Sequence, residues 1–403
     1  MKEITQAVIF AGGLGERLKP FTETNPKPMY RFGDKPFLEY LICQIREWNI
    51  KDIVLLLGYL PEKVIEYFGN GESFGVHIRY VITPVEYDTQ YRLKAAENYL
   101  QEDFLMMYCD NICPIDFQKL KQEYKNNQAL VQVTAYANDD CYTRDNLKIN
   151  PGGRVEVYDK KRKSLNLKGV DIGYAIMSKR VLAFMSDKND NFEAVVYPKL
   201  VEEGKLFATV TNHRYYSIGS YERIELTEKY LSGQKYIFLD RDGVTNKKPP
   251  KAEYVCKPED FIWIEGAKEA IKKLNGAGYI VILISNQAGI ARGIMSHDDF
   301  WKIQKKMECD LDEIGAHIDK VYYCPHGWDE ECECRKPKPG MLYQAQKDFS
   351  INLTQCVVIG DDERDIMTAH NANMKGILVT EEYRLANAVE DLLSGKISGA
   401  FNY

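Results

Sequence analysis

The chain has no apolar run long enough to span a bilayer, and no cationic start that leads through an apolar stretch to a cleavage site. Membrane and secretory readings fall away, and a cytoplasmic protein is expected. Positive charge is not in excess either: 53 Lys and Arg face 59 Asp and Glu, for a formal net charge of −6. The broad basic face that nucleic-acid binding needs is therefore missing, and any anionic substrate must be held by local cations. A disulfide framework is also lacking. Of the 10 cysteines, Cys43, Cys109, Cys113, Cys141, Cys256, Cys309 and Cys356 are scattered, several within apolar segments where a thiol behaves as a small hydrophobe. Histidine is scarce, and His77, His213, His297, His317 and His370 each stand alone. Repeats and low-complexity tracts are absent.

What is present points to folded α/β structure. At 403 residues the chain exceeds what one hydrophobic core usually serves, so two domains are expected. Short β-branched-rich runs alternate with amphipathic segments, the pattern of mainly parallel sheets flanked by helices. Strands are predicted at Gln6–Ala11 and over 52–58, 78–82, 104–108 and 130–135. A helical stretch, Tyr221–Leu231, stops at Ser232-Gly233, and a new strand, Lys235–Leu239, restarts the pattern. The expected domains are 1–232 and 233–403.

In the second half an apolar strand runs into Asp240-Arg-Asp242-Gly243. Carboxylates two residues apart on extended chain share a face. One can attack phosphorus while the other protonates the leaving oxygen and then activates water. Taken alone, this motif reads equally well as an acidic turn. Three further segments change the balance. A strand over 279–284 leads to Ser285-Asn286, donors for a phosphoryl oxygen. Arg335-Lys336-Pro-Lys-Pro supplies cations for the charge of a transferring phosphoryl group. A strand over 356–359 leads to Gly360-Asp361-Asp362-Glu-Arg-Asp365, a carboxylate cluster suited to oxygen-ligated Mg²⁺. Between them, Cys324-x-His326-x5-Cys332-x-Cys334 has the ligand types and spacing of a tetrahedral Zn²⁺ site. Four protein ligands leave no open position, so that metal is structural and stiffens the loop leading to Arg335 and Lys336.

These elements resemble, in order, the four motifs of the haloacid dehalogenase-like phosphatases. Within them, Phe238-Leu-Asp-Arg-Asp-Gly, Ser285-Asn-Gln-Ala-Gly-Ile-Ala-Arg-Gly293 and Cys324-Pro-His…Cys-Arg-Lys-Pro-Lys-Pro-Gly-Met341 are similar to the D-glycero-D-manno-heptose 1,7-bisphosphate phosphatase group over about residues 235–380. The resemblance implies a Rossmannoid fold with a zinc loop. It makes Asp240 the nucleophile, Asp242 the general acid/base and Lys336 the charge-balancing cation. Ser285, Asn286 and Arg335 become phosphate and substrate contacts, and Asp240, Asp242 and Asp361 the Mg²⁺ set. Asp362 stands where that group often has lysine.

The first strand runs into Gly12-Gly13-Leu14-Gly15-Glu16-Arg17-Leu18, followed by Asn25-Pro-Lys27-Pro-Met29. Glycines let backbone N–H groups approach phosphates, and Arg17 adds a fixed positive fork. The combined pattern resembles the sugar-1-phosphate nucleotidyltransferases over roughly residues 5–230. Lys35-Pro-Phe-Leu-Glu-Tyr40, Asp110-Asn111, Lys160, Gly173-Tyr174, Glu193 and Ile218-Gly219 extend the match. That likeness implies a Rossmann-like fold. Gly12, Gly13, Gly15 and Arg17 would hold a nucleoside triphosphate, with Lys27 on the reacting phosphates. Asp110 would sit on Mg²⁺, and Asn111, Lys160 and Glu193 in the substrate site. Two elements depart from the pattern. Ser217 stands where the family's D-x-G aspartate is expected, and the L-G-T-x-G-A ligand loop reads Tyr87-Asp88-Thr89-Gln90-Tyr91-Arg92. Two readings follow: an unusual acceptor such as an open-chain sugar or polyol phosphate, or a non-catalytic nucleotide-sensing or docking domain. The whole reads as a bifunctional enzyme of nucleotide-activated sugar synthesis for a surface polysaccharide, with Mg²⁺ and Zn²⁺ as cofactors. The acidic balance disfavours nucleic-acid end repair.

Overall fold

Six consecutive residues with no charge among them make Gln6–Ala11 (β1) a strand buried along its whole length. It pairs in parallel with Asp52–Leu57 (β2) on one side and Asp103–Tyr108 (β4) on the other. His77–Ile82 (β3) extends the sheet beyond β2, and Val131–Tyr136 (β5), Val170–Ser178 (β6) and Leu206–Thr211 (β7) complete it in the order β7-β5-β6-β4-β1-β2-β3. Strand β6 is antiparallel to both neighbours, so this sheet is mixed although mainly parallel. Ala11 lies level with Leu57, and Phe10 with Tyr108, so the Gly12 loop and Asp110 leave the sheet at one edge. The carboxyl edge of such a sheet is where ligands bind. The computed structural model describes residues 3–250 and 253–397. The chain divides into a unit running through Glu228 and one starting at Lys229, within the helix Tyr221–Leu231.

One element of the first unit differs from expectation. The stretch read as a ligand loop folds into helix Thr89–Ala95, because the Asp88 carboxylate caps it by accepting from Thr89 N at 2.6 Å. Phe37–Glu47 and Phe192–Glu202 flank the sheet as further helices, each with a buried apolar stripe.

In the second unit all strand pairs are parallel. Lys235–Leu239 (β8) is central, and Tyr279–Asn286 (β9), Lys320–Cys324 (β10), Val357–Gly360 (β11) and Lys375–Leu378 (β12) give the order β10-β9-β8-β11-β12. Alternate residues of β8 enter separate cores: Ile237 and Leu239 join Val281, Leu283 and Ile359, while Phe238 joins Ile282, Ile284 and Val358. Both faces are thus covered, which is why these strands read as continuous apolar runs. Truncating Phe238 to alanine would cost about 3–5 kcal/mol. Strand β9 continues through Ser285-Asn286, two residues past its expected end. Leu239 pairs with Leu283 and Ile359, and Asn286 with Cys324, so all four chemical segments leave the sheet at one end.

Candidate active sites

Asp240 follows β8 directly, and its N–H donates to Ile359 O of β11 at 2.9 Å. That pairing brings it beside Asp361 and Asp365, and one ligand oxygen from each of the three lies within 4.8 Å of the others. Lys336 inserts between them. Its Nζ is 2.8 Å from Asp240 Oδ1 and 2.5 Å from Asp365 Oδ1, and the residue is 4% exposed. Burial pushes the Asp240 carboxyl up to about 7; Lys336 opposes that shift and the Asp365 charge adds to it. Lys336 keeps its proton, because two carboxylates outweigh its own burial.

Asp242 is not part of the three-carboxylate group. Arg241 grips it with Nη2 at 3.1 and 2.9 Å from its two oxygens, while Asn246 Nδ2 at 2.9 Å and Gln287 Nε2 at 3.0 Å also donate to it. Burial opposes its ionisation, but these donors, Arg241 first, hold its carboxyl below the usual range. Gly243 has φ 95°, and a Cβ there would lie 2.1 Å from Asp361 Oδ2, so no other residue fits the turn. Asn286 positions Lys336 through its backbone: Oδ1 accepts from Lys336 N at 3.0 Å, and Nδ2 donates to Lys336 O at 3.2 Å. Ser285 Oγ accepts from Gln287 Nε2 at 2.7 Å. Asp361 and Asp362 lie 2.7 and 3.8 Å from Lys248 Nζ, and Arg364 Nε also donates to Asp362 at 2.9 Å. Asp362, where the resemblance expects lysine, is thus held between two cations, Lys248 and Arg364.

Cys324, His326, Cys332 and Cys334 converge. Cys324 Sγ lies 3.5 Å from His326 Nδ1 and 3.7 Å from Cys332 Sγ, and His326 Nδ1 lies 3.2 Å from Cys334 Sγ. Ligands about 2.3 Å from a tetrahedral centre have edges of about 3.8 Å, so the set fits Zn²⁺ closely. The loop also orients the basic segment, since Arg335 Nη1 donates to His326 O at 3.2 Å.

In the first unit, a cavity of about 660 Å³ is walled by Gly12, Gly13, Gly15, Arg17, Lys27 and Asp110, among others. Gly15 has φ 66°, and a Cβ there would press on Lys27 and Thr22 at 3.0 Å. Lys27 Nζ is 2.6 Å from Asp110 Oδ2. Burial opposes ionisation of Asp110, but Lys27 and Arg17 lower its carboxyl overall. Ser217 pairs with Asn111 in a two-residue ladder, and Ile218 N donates to Asp110 O at 3.0 Å. Asn111 directs its amide to Ile172 O at 3.2 Å. Lys160 and Glu193 form an ion pair outside the cavity wall, near Tyr108, which does line it.

Sequence reasoning placed Asp365 in the carboxylate cluster but did not single it out as a ligand, although it falls four residues after Asp361. Other partners were missed. Arg241, Gln287, Lys248 and Arg92 carried no such signal. Asp171 was also missed: its carboxyl, pushed to about 7 by burial and then by Glu193, lies beside the Lys160–Glu193 pair.

These two sites define a nucleotidyltransferase domain fused to a haloacid dehalogenase-like phosphatase. The nucleotidyl transferase family profile matches residues 6–220, more than half of the chain, and the chain belongs to that family; a HAD-hydrolase-like profile matches residues 333–394. The second unit resembles heptose bisphosphate phosphatases in particular. It is 41% identical over 150 residues to D-glycero-beta-D-manno-heptose-1,7-bisphosphate 7-phosphatase of Haemophilus ducreyi, covering 36% of this chain and 81% of that protein. The Helicobacter pylori enzyme of the same name is 39% identical over 150 residues, covering 37% and 85%. Among solved structures, D,D-heptose 1.7-bisphosphate phosphatase from B. bronchiseptica, complexed with magnesium and phosphate, is 34% identical (40% of this chain, 99% of that one, TM-score 0.38). HddC from Yersinia pseudotuberculosis shares the fold of the first unit at 24% identity (56% and 99%, TM-score 0.50). No helix among the described residues is long and apolar enough to cross a membrane.

Proposed function

We propose that this chain prepares a nucleotide-activated sugar: the second unit trims a sugar bisphosphate and the first transfers a nucleotidyl group to the remaining phosphate. The observation that carries this is the convergence of Asp240, Asp361, Asp365 and Lys336 at one end of the sheet. An Asp240 oxygen attacks phosphorus and the P–O bond to the sugar breaks; Asp242, held ionised by Arg241 in the free chain, first takes up a proton from water and gives it to the departing oxygen. Asp242 then takes a proton from water, which attacks the aspartyl phosphate and releases inorganic phosphate and free Asp240. Lys336 compensates charge throughout, and Ser285, Asn286 and Arg335 hold the phosphate and substrate. Asp240, Asp361 and Asp365 offer hard oxygen ligands that suit Mg²⁺, which when bound supplies charge neutralisation for the phosphoryl oxygens. Zinc at Cys324, His326, Cys332 and Cys334 is structural.

The relatives are named as 7-phosphatases of a 1,7-bisphosphate, whose product keeps its 1-phosphate. A sugar 1-phosphate can attack the α-phosphorus of a nucleoside triphosphate and release pyrophosphate. Arg17 and Lys27 supply the positive charge and the glycine loop the backbone donors. One observation favours a second reading, a nucleotide-sensing first unit: Ser217 leaves Asp110 without a carboxylate from the facing strand. The test gives the full chain a sugar 1,ω-bisphosphate with each nucleoside triphosphate and follows products by mass. A nucleotide-sugar formed by wild type but not by Asp240→Asn is expected. Phosphate release without pyrophosphate from any triphosphate would favour the sensing module.

A further inference from the structure

Arg92 takes no part in the chemistry above, yet it lies in the wall of the first unit's cavity and is 4% exposed. It stands where the resembled ligand loop ends in alanine. A buried guanidinium ordinarily has a carboxylate partner, because an unpaired charge out of water is strongly disfavoured. Here Asp88 and Glu86 favour the charge only from a distance. The direct partners are neutral oxygens. Nη1 donates to Leu57 O at 3.0 Å and Thr83 Oγ1 at 2.6 Å, and Nη2 to Gly12 O at 3.2 Å and Val85 O at 3.0 Å. Those acceptors lie at or just past the carboxyl ends of β1, β2 and β3, so one rigid fork ties three adjacent strands together.

The glycines beside it answer to the same group. A Cβ at Gly12 would lie 2.2 Å from Arg92 Nη1, and one at Gly58 would lie 2.4 Å from it. The helix carrying Arg92 is anchored from its other side as well. Gln90 Nε2 donates to Ser186 Oγ at 3.1 Å, Tyr91 OH donates to Asp187 O at 2.9 Å, and Thr89 Oγ1 accepts from Phe192 N at 2.7 Å. Lys27, by contrast, is already paired with Asp110, which leaves Arg92 as a cation of this cavity not cancelled by direct contact with a carboxylate.

We infer that Arg92 builds the triphosphate pocket: it fixes the Gly12 end of the glycine loop through its fork and places in the wall a positive charge with no carboxylate in direct contact. This rests on reading the cavity as a nucleoside triphosphate site. Arg92 is a positioning residue, acting on the ligand through Gly12 and through charge. The departure from the resembled loop is then a rebuilt wall rather than a lost one.

The test titrates ATP, CTP, GTP, UTP and inorganic pyrophosphate into the full chain by calorimetry, for wild type, Arg92→Met, Arg92→Lys and Thr83→Val. Hydrolysis of p-nitrophenyl phosphate by the second unit serves as the control for an intact chain. Arg92→Met should weaken both the preferred triphosphate and pyrophosphate by about thirtyfold or more, and Arg92→Lys, which keeps the charge but not the fork, by about tenfold. Thr83→Val should cost about threefold, with salt dependence reduced only in Arg92→Met. If Arg92→Met does not fold, Arg92→Lys and Thr83→Val decide. Wild-type affinity in Arg92→Lys together with Thr83→Val overturns the inference alone. Wild type that binds none of the probes overturns the nucleotide reading and this inference with it.

Discussion

In the second unit one lysine, Lys336, lies between two carboxylates at 2.8 and 2.5 Å, whereas in the first Lys27 faces Asp110 alone at 2.6 Å. The arithmetic of charge differs accordingly. Around Asp240 three carboxylates, Asp240, Asp361 and Asp365, face two lysines, Lys336 and Lys248, and burial raises the Asp240 carboxyl to about 7. Such a site gains from a divalent cation. Around Asp110 one lysine cancels one carboxylate, and the aspartate stays ionised. The cations of the first site without a carboxylate in contact are arginines, Arg17 and Arg92, both in the cavity wall. The two sites therefore differ in kind: a carboxylate cluster with room for a cation in one unit, and arginines that are cations already in the other.

The largest expected effect is on the lysine of the carboxylate cluster. Lys336→Met should lower phosphatase turnover by about a thousandfold, because two buried carboxylates then repel the phosphoryl group unaided. Steady-state phosphate release measures it; a loss below tenfold would show that Lys336 does not balance the charge. A smaller effect should follow from making the first site resemble the second. Ser217→Asp adds a carboxylate opposite Asn111 and next to Asp110, and should tighten Mg²⁺ dependence of pyrophosphate release by about tenfold. An unchanged metal titration would mean that Ser217 does not face the reacting phosphates. The smallest effect concerns Asp171, raised from 3.8 to about 7 by burial and then by Glu193. Its protonated form fits the fold, so the stability it contributes is full below pH 3.8 and is lost as pH rises through 7. Asp171→Asn should raise the melting temperature of the first unit at pH 8 by about 2–4 °C and flatten its dependence between pH 4 and about 7. Equal pH dependence in both proteins would remove the assignment.

Much of this was readable in advance. Strands Gln6–Ala11 and Lys235–Leu239 were marked by apolar runs that follow a single polar residue, and their ends carried the glycine loop and Asp240. Others shifted by a residue or two: β5 starts at Val131, and β9 runs on to Asn286, because strand limits depend on hydrogen bonds that sequence pattern does not see. The segment 87–92 was legible by position but not by shape: Tyr87, Asp88, Thr89 and Arg92 do line the cavity, but Asp88 caps a helix there and Gln90 and Tyr91 are bound to 186–187.

By itself the sequence determined two α/β units, the order of the chemical segments along each, and the types of ligand gathered at the cysteines and carboxylates. Those features are local: periodicity, glycine freedom and short spacings act within a few residues. Only the tertiary structure decided which charges meet. Asp365 joins Asp240 across 125 residues, and Arg92 reaches Gly12 across 80 residues. Such pairings follow from strand register and from burial, which make an unpartnered charge too unfavourable to leave alone, and neither is written in any single segment.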